Sequence, residues 1–359
     1  DAPAAALYFG CAACARQLLA AEGRARYAWA GALSGMFALG LATKYSLIAA
    51  LGLVPLGFAV DAWRSGRRAQ LPWCLGAAAV GGVLGGAFAW GLPPDPSAYW
   101  SGVRLVGHNH RAQGYAFYAF GELFHGREPL YFARALLVKI STGALVALAC
   151  AAGNLLLRRL GRVPGAGAHA LGWLPPLGYY GLMAGFAPAI GVRYVLPVLP
   201  FLLLAAGAGC AACMRSWRAR WLLAAVCALQ LYGLVVALRA SPLAYFNGFF
   251  CFTGDVPPCL DDSNVDWGQA LPQLEAARAL RYADAEPRIF YFGSSPPQAY
   301  VRGAQVAHPA ELLQPMAAVY AVSLHVLARA PEASWVRRSA PREIVGGSYA
   351  LFDLRAAAR

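Results

Sequence analysis

The sequence predicts an α-helical polytopic membrane domain of about eight transmembrane helices, followed by a small C-terminal α/β domain on the extracytoplasmic side. Three observations carry that prediction. Apolar residues make up 59% of the 359-residue chain and charged residues only 13%, where a soluble globular chain carries about 25% charge. The apolar residues gather in stretches close to the roughly 20 residues that a bilayer-crossing helix needs. Past Arg239 the pattern changes to short β-rich runs, turns and one amphipathic helix.

The stretches expected to span are 3–21, 27–43, 45–62, 71–91, 130–152, 169–190, 195–213 and 221–239. The pair at 27–62 is broken only around Thr43, Lys44 and Tyr45. The membrane part is therefore 1–239, with a long polar loop at 92–129, and the α/β part is 240–359. In the latter, residues 268–281 have helical spacing, with Leu271, Leu274, Ala277 and Leu280 on one face. Residues 288–292, 317–323 and 348–353 read as strands separated by Gly/Pro/Ser turns. The chain opens at Asp1 with neither an initiator Met nor a basic signal-peptide start, and reads as lacking its N-terminal part.

Charge sorts the loops into two sides. Arg24 and Arg26, then Arg64, Arg67 and Arg68, then Arg158, Arg159 and Arg162, then Arg215, Arg218 and Arg220 fall in alternate short loops, which the positive-inside rule places in the cytoplasm. They account for much of the +13 net charge without a nucleic-acid partner, which would want basic residues interleaved with aromatics on one surface. The opposite side carries Asp1, Lys44, loop 92–129, the turn Gly191-Val192-Arg193-Tyr194 and everything past residue 240. Nearly all acidic and histidine residues lie there, so the work is expected on the outer face. Of the nine cysteines, Cys11/Cys14 and Cys210/Cys213 sit in Ala-rich apolar helices as small packing residues. Cys251 and Cys259, next to Pro257 and Pro258, could bridge in an oxidising compartment or remain thiols.

Several segments, taken together and in order, resemble the bacterial relatives of dolichyl-phosphate-mannose protein mannosyltransferases. These are membrane glycosyltransferases of the GT-C fold, a group that includes the lipid A aminoarabinose transferases. The matching pieces are Asp1-Ala2-Pro3 opening a helix, residues 40–46 (Gly-Leu-Ala-Thr-Lys-Tyr-Ser), residues 118–122 (Tyr-Ala-Phe-Gly-Glu), Tyr131-Phe132 with Lys139, and residues 193–201. Residues 262–269, Asp-Ser-Asn-Val-Asp-Trp-Gly-Gln, are the most specific; 291–293, 320–323 and 346–353 complete the set. The resemblance implies transfer of a sugar from a polyprenyl-phosphate donor to a hydroxyl on a lipid, glycan or protein acceptor, at the extracytoplasmic face of a bacterial inner membrane. It implies inversion, with an aspartate as general base. In relatives that base lies in the first outer loop, upstream of the part present here. Asp1 matches the second acidic position, and Glu122 ends its matched piece.

Each polar group has a chemical and a bland reading. A cation in lipid is a functional candidate by default, so Lys139 would hold the donor phosphate or snorkel to the headgroups. Relatives continue Lys-Thr-Pro, where this chain has Lys139-Ile140-Ser141. Arg193 and Lys44 stand on the side opposite the arginine loops, with Tyr194 and Tyr45 beside them. A guanidinium contact to phosphate competes there with a structural ion pair. His108, His110 and His125 in the outer loop could hold a divalent metal with Glu122 or Glu128, or be solvated loop residues; no cofactor is otherwise required. Asp262, Asn264 and Asp266 could bond sugar hydroxyls, or cap and turn the backbone. Trp267 could stack on a sugar or anchor at the interface. Two other classes remain. A transporter would need mid-bilayer polar residues on broken helices and an internal repeat, and a non-catalytic scaffold would lack the base.

Overall fold

The computed structural model describes residues 1–88, 95–109, 116–126, 128–159, 169–213 and 217–355. The α-helices among the described residues are α1 (Ala2–Ala20), α2 (Ala25–Thr43), α3 (Ala50–Arg64), α4 (Leu71–Phe88), α5 (Pro96–Asn109), α6 (Tyr131–Lys139), α7 (Thr142–Arg159), α8 (Ala170–Phe186), α9 (Leu199–Cys213), α10 (Trp217–Arg239), α11 (Leu271–Arg281), α12 (Leu324–Arg329) and α13 (Trp335–Arg338). Two compact units form: Asp1–Tyr115 with Ala147–Pro188 and Arg193–Arg215, and Ala116–Val146 with Ala189–Val192 and Ser216–Arg359.

Helices occupy all the stretches expected to span, yet the expected polytopic fold of about eight transmembrane helices, and with it the GT-C type, is overturned. Among the described residues only Tyr45–Arg64 and Arg220–Arg239 are long and apolar enough to cross a bilayer. They become three spans if Tyr131–Lys139 and Thr142–Leu157, bent by 116°, count as one. α4 is apolar throughout but ends at the edge of the described residues, and other helices fall short on length or composition. α8 has 17 residues and holds Pro175 and Pro176, and α9 has 15. At 1.5 Å per residue such helices reach about 22–26 Å, short of a roughly 30 Å hydrocarbon layer. α1 carries Arg16 and Gln17, and α2 opens on Ala25-Arg26-Tyr27. Of the arginines that sorted the loops, Arg162 and Arg215 lie outside the described residues, as do the side chains of Arg158, Arg159 and Arg218.

The first unit is held by small residues at helix crossings. Gly81 of α4 faces Ser34 and Phe37 of α2, and Gly85, one turn on, faces Ala38 and Leu41, so the two helices run parallel. A Cβ on Gly81 would lie 2.5 Å from the Ser34 carbonyl oxygen, and one on Gly85 2.8 Å from that of Ala38. This is the small-xxx-small device for close backbone approach. Gly85→Val is expected to cost about 1–3 kcal/mol by overpacking, read as a lowered melting temperature; an unchanged melt would refute the crossing.

Side-chain bonds sort the same unit into two ends. At one, Arg67 donates to the Leu19 carbonyl (3.0 Å), Gln70 to that of Ala21 (2.9 Å), and buried Asp61 accepts from the Ala170 and Leu171 amides (2.7 and 3.0 Å). A carboxylate on the otherwise unbonded amides opening α8 matches both hydrogen-bonding need and dipole. Asp1, Lys44, Arg193 and Tyr194 meet at the other end.

The second unit contains a mixed five-stranded sheet. Its strands are β3 (Arg288–Phe290), β4 (Gln305–Val306), β5 (Val319–Ser323), β6 (Glu343–Val345) and β7 (Tyr349–Asp353), after a hairpin of β1 (Phe117–Ala119) and β2 (Glu122–Phe124). The order is β4-β3-β5-β7-β6, with β3 parallel to β4 and β5, and β7 antiparallel to β5 and β6. β5 is buried at every residue, as a strand paired on both edges should be. Leu271 and Leu274 of α11 pack with Ile289, Ala321 and Leu351 in its core. Between β1 and β2, Phe120 and Gly121 both take positive φ, the tight two-residue turn that suits a twisted hairpin.

Candidate functional site

In the first unit Lys44 is the single extended residue (φ −158°, ψ 129°) between α2 and the 3₁₀ turn that starts at Tyr45. That break turns its side chain to Asp1, whose Oδ1 lies 2.5 Å from Nζ. Nζ also donates to the Arg193 carbonyl (3.2 Å) and stands 5.2 Å from the centre of the Tyr194 ring. The Arg193 guanidinium lies 5.4 Å from that same ring. Two cations therefore stand beside one aromatic ring, with one carboxylate on Lys44. Burial first, and the charge of Arg193 second, lower the Lys44 pKa to about 8. An added anion would relieve the second of these effects.

In the second unit the run 262–269 lies folded in on itself and on the chain around it. Asp261, Asp262, Ser263, Asn264, Val265 and Asp266 are all buried. Asp262 takes a left-handed φ of 54°, a conformation Asp tolerates better than most residues, and its carboxylate accepts from the Ser263 amide (2.7 Å). The Ser263 hydroxyl donates to the Ile190 carbonyl (2.7 Å). Only a residue without Cβ fits opposite, since one on Gly191 would sit 2.2 Å from that hydroxyl. Asn264 donates to Tyr131 Oη and the Asp261 carbonyl (3.0 Å each) and accepts from the Val192 amide (3.2 Å). Asp266 accepts from the Ser323 hydroxyl (2.5 Å) and the Gly268 amide (3.0 Å). Burial, only partly opposed by these bonds, pushes its pKa up to about 6.

Lys139, at the end of α6, donates to three carbonyls, those of Leu243 (2.8 Å), Tyr245 (2.8 Å) and Asn264 (2.5 Å), and sits 4.0 Å from the Phe246 ring centre. An ammonium has three protons to give, and all three are engaged. Trp267 is 41% exposed and meets Phe292 edge-on, which in turn stacks on His325 at 3.7 Å.

The structure thus joins Asp1, Lys44, Arg193 and Tyr194 in one cluster, and Lys139, Asn264, Asp262 and Asp266 in another. Glu122 and His125 are exposed on the hairpin and just past it. His110 and the side chain of His108 lie outside the described residues, and among those described no group of three His, Cys, Asp or Glu could hold a metal ion. Cys251 and Cys259 are disulfide-bonded. Sequence reasoning missed the partners of the 262–269 run: Tyr131, Asp261, Ser323, His325, which accepts from the Asp262 amide (3.1 Å), and Arg329, which donates to Asp261 (2.5 Å). Asp261 had a visible signal as a second acid adjoining the run, and Tyr131 and Ser323 fell in pieces matched to relatives though not as its partners. No family model matches the chain, and no curated protein and no solved structure matches it.

Proposed function

We propose that the protein is an integral membrane glycosyltransferase of hexosyl- or mannosyl-transferring type. It takes a sugar from a polyprenyl-phosphate donor and adds it to a hydroxyl of a lipid, glycan or protein acceptor at the extracytoplasmic face. The observation that carries this reading is the cluster of Lys44, Arg193, Tyr194 and Asp1. Two cations beside one ring, at the end of the unit away from Arg67 and Asp61, suit a lipid phosphate. Attachment to a membrane is supported by Arg220–Arg239, an apolar 20-residue helix of which 11% is buried, far more exposed apolar surface than water tolerates. The resemblance of residues 40–46, 118–122, 193–201 and 262–269 to mannosyltransferase relatives supports the chemistry.

In this mechanism the donor phosphate oxygens accept from Lys44 Nζ and the Arg193 guanidinium. As the bond from sugar to phosphate breaks, negative charge grows on the leaving oxygen, and the two fixed cations favour that state over the ground state. Asp1 holds the Lys44 ammonium in place, and the Tyr194 ring keeps both cations near one point. Lys44→Met and Arg193→Met, in the protein in membranes, are each expected to lower transfer from a labelled polyprenyl-phosphate hexose about 10- to 100-fold, the loss of one charge-assisted contact. Membrane insertion and melting should be unchanged. Wild-type turnover in both variants would remove the reading.

A further inference from the structure

The segment that follows α10 displays three phenylalanines. Phe249, Phe250 and Phe252 are 65%, 56% and 62% exposed, and Phe249 meets Phe250 edge-on at 4.6 Å. Large apolar side chains grouped in this way mark a surface that is covered in use. They are also held in a fixed display. The Cys251–Cys259 disulfide closes the loop. The Gly248 amide bonds the Cys251 carbonyl (2.9 Å), and the Phe252 amide bonds Asp255 (2.7 Å). Asn247 roots the segment in the bend between α6 and α7: its amide donates to the Val138 carbonyl (3.0 Å), its side chain to those of Leu137 (2.5 Å) and Ile140 (2.8 Å), and its own carbonyl accepts from Thr142 (2.9 Å).

We propose that this loop is a membrane-interface anchor, with the three rings seated at the boundary between headgroups and acyl chains where α10 leaves the bilayer. The proposal rests on the membrane reading above but not on glycosyl transfer. Three observations choose lipid over a protein partner. The loop follows α10 in the chain, and the last turns of that helix expose Leu234, Val235 and Leu238. Ala240, directly after α10, and Thr253, inside the loop, border the same residue, Gly347, so the rings stand at the helix exit. Between Asn247 and Cys259 the only ionisable side chain besides the bridged cysteines is Asp255, which is engaged in the turn; a soluble partner would meet no charged rim. A disulfide also persists only on the oxidising side, which assigns the leaflet: the outer one, at the C-terminal end of α10.

Fluorine NMR of the protein in phospholipid nanodiscs tests this, with trifluoromethyl-phenylalanine in place of Phe250 as the reporter. Reporters in place of Leu238 on α10 and Leu280 on α11 serve as membrane and water references. A nitroxide carried near the headgroup of a lipid should broaden the position-250 line about as much as the Leu238 line, while an aqueous gadolinium chelate leaves both sharp and broadens the Leu280 line. Broadening at 250 by the chelate alone would overturn the proposal in favour of an open surface. A line at 250 sharp to both agents would overturn it in favour of a protein cover. Chelate access at Leu238 would instead show that the membrane reading itself fails.

Discussion

Lys139→Met is expected to lower the stability of the sheet-bearing unit by about 3 kcal/mol, the cost of leaving partly buried carbonyls without their donor. The carbonyls of Leu243, Tyr245 and Asn264 converge on Nζ from two segments that each lie more than 100 residues beyond Lys139. Methionine fills the same volume and keeps the contact with Phe246, but gives no proton to any of the three. Against the 5–15 kcal/mol that holds a typical domain, such a loss is large, and the variant should unfold at lower denaturant with an unchanged slope. Lys139→Arg tests the geometry: a planar fork cannot aim one nitrogen at three carbonyls, so it should rescue only in part. The outcome also separates two roles for the residue. A lysine whose task is to hold donor phosphate would give a methionine variant that folds as the wild type and fails only in turnover.

The position of Lys139 shows where the sequence stopped being readable. The apolar run 130–152 was visible, and a helix forms at each end of it. Nothing within the run says that it turns by 116° at Ile140 and Ser141, because the groups that hold the bend come from Asn247 and from the carbonyls after Pro242. Hydropathy reports that a segment avoids water; it does not report whether a distant side chain captures its backbone midway. The same limit turned about eight expected spans into two or three. Short-range cues fared better. The break at Thr43, Lys44 and Tyr45 and the strands of 288–290, 319–323 and 349–353 depend on neighbours in sequence, and they lie within two residues of expectation. β4 and β6, two and three residues long, are set by the strands they pair with and leave little local pattern. Of the candidate site, the cations were legible because they stood on the side opposite the arginine loops. Their meeting on the Tyr194 ring was not, since Asp1, Lys44 and Arg193 are brought together only by the folding of three separate segments.

Two buried acids of the sheet-bearing unit should respond to pH in opposite senses. Glu311 accepts from Arg288 through both oxygens (2.5 and 2.6 Å), from Tyr320 Oη (2.8 Å) and from the His308 amide (2.8 Å). The Arg288 bonds above all, opposed by burial, bring its pKa from 4.5 down to about 2. A depressed carboxylate stabilises the fold above its unfolded pKa and loses that contribution as pH falls toward the folded value. Each tenfold change in proton affinity between the folded and unfolded chain is worth about 1.4 kcal/mol. Glu311→Gln should therefore cost roughly 3 kcal/mol at pH 7, and the deficit should fade between about pH 4.5 and pH 2. Asp266 is the reverse case. Its folded pKa of about 6 exceeds the ordinary 3.8, so the native state holds a proton that the unfolded chain has lost, and ionisation costs stability as pH rises from about 4 to 6. Asp266→Asn should then gain up to roughly 3 kcal/mol at pH 7 and nothing near pH 3.8, provided the amide keeps the bond from the Gly268 amide and turns its own N–H to Ser323. Denaturant unfolding of the two variants from pH 3 to pH 7 checks both. A Glu311→Gln deficit that persists in acid would show that packing, not charge, dominates at that site. An Asp266→Asn variant weaker than the wild type at pH 7 would mean that the ionised carboxylate is what Ser323 and Gly268 hold in place.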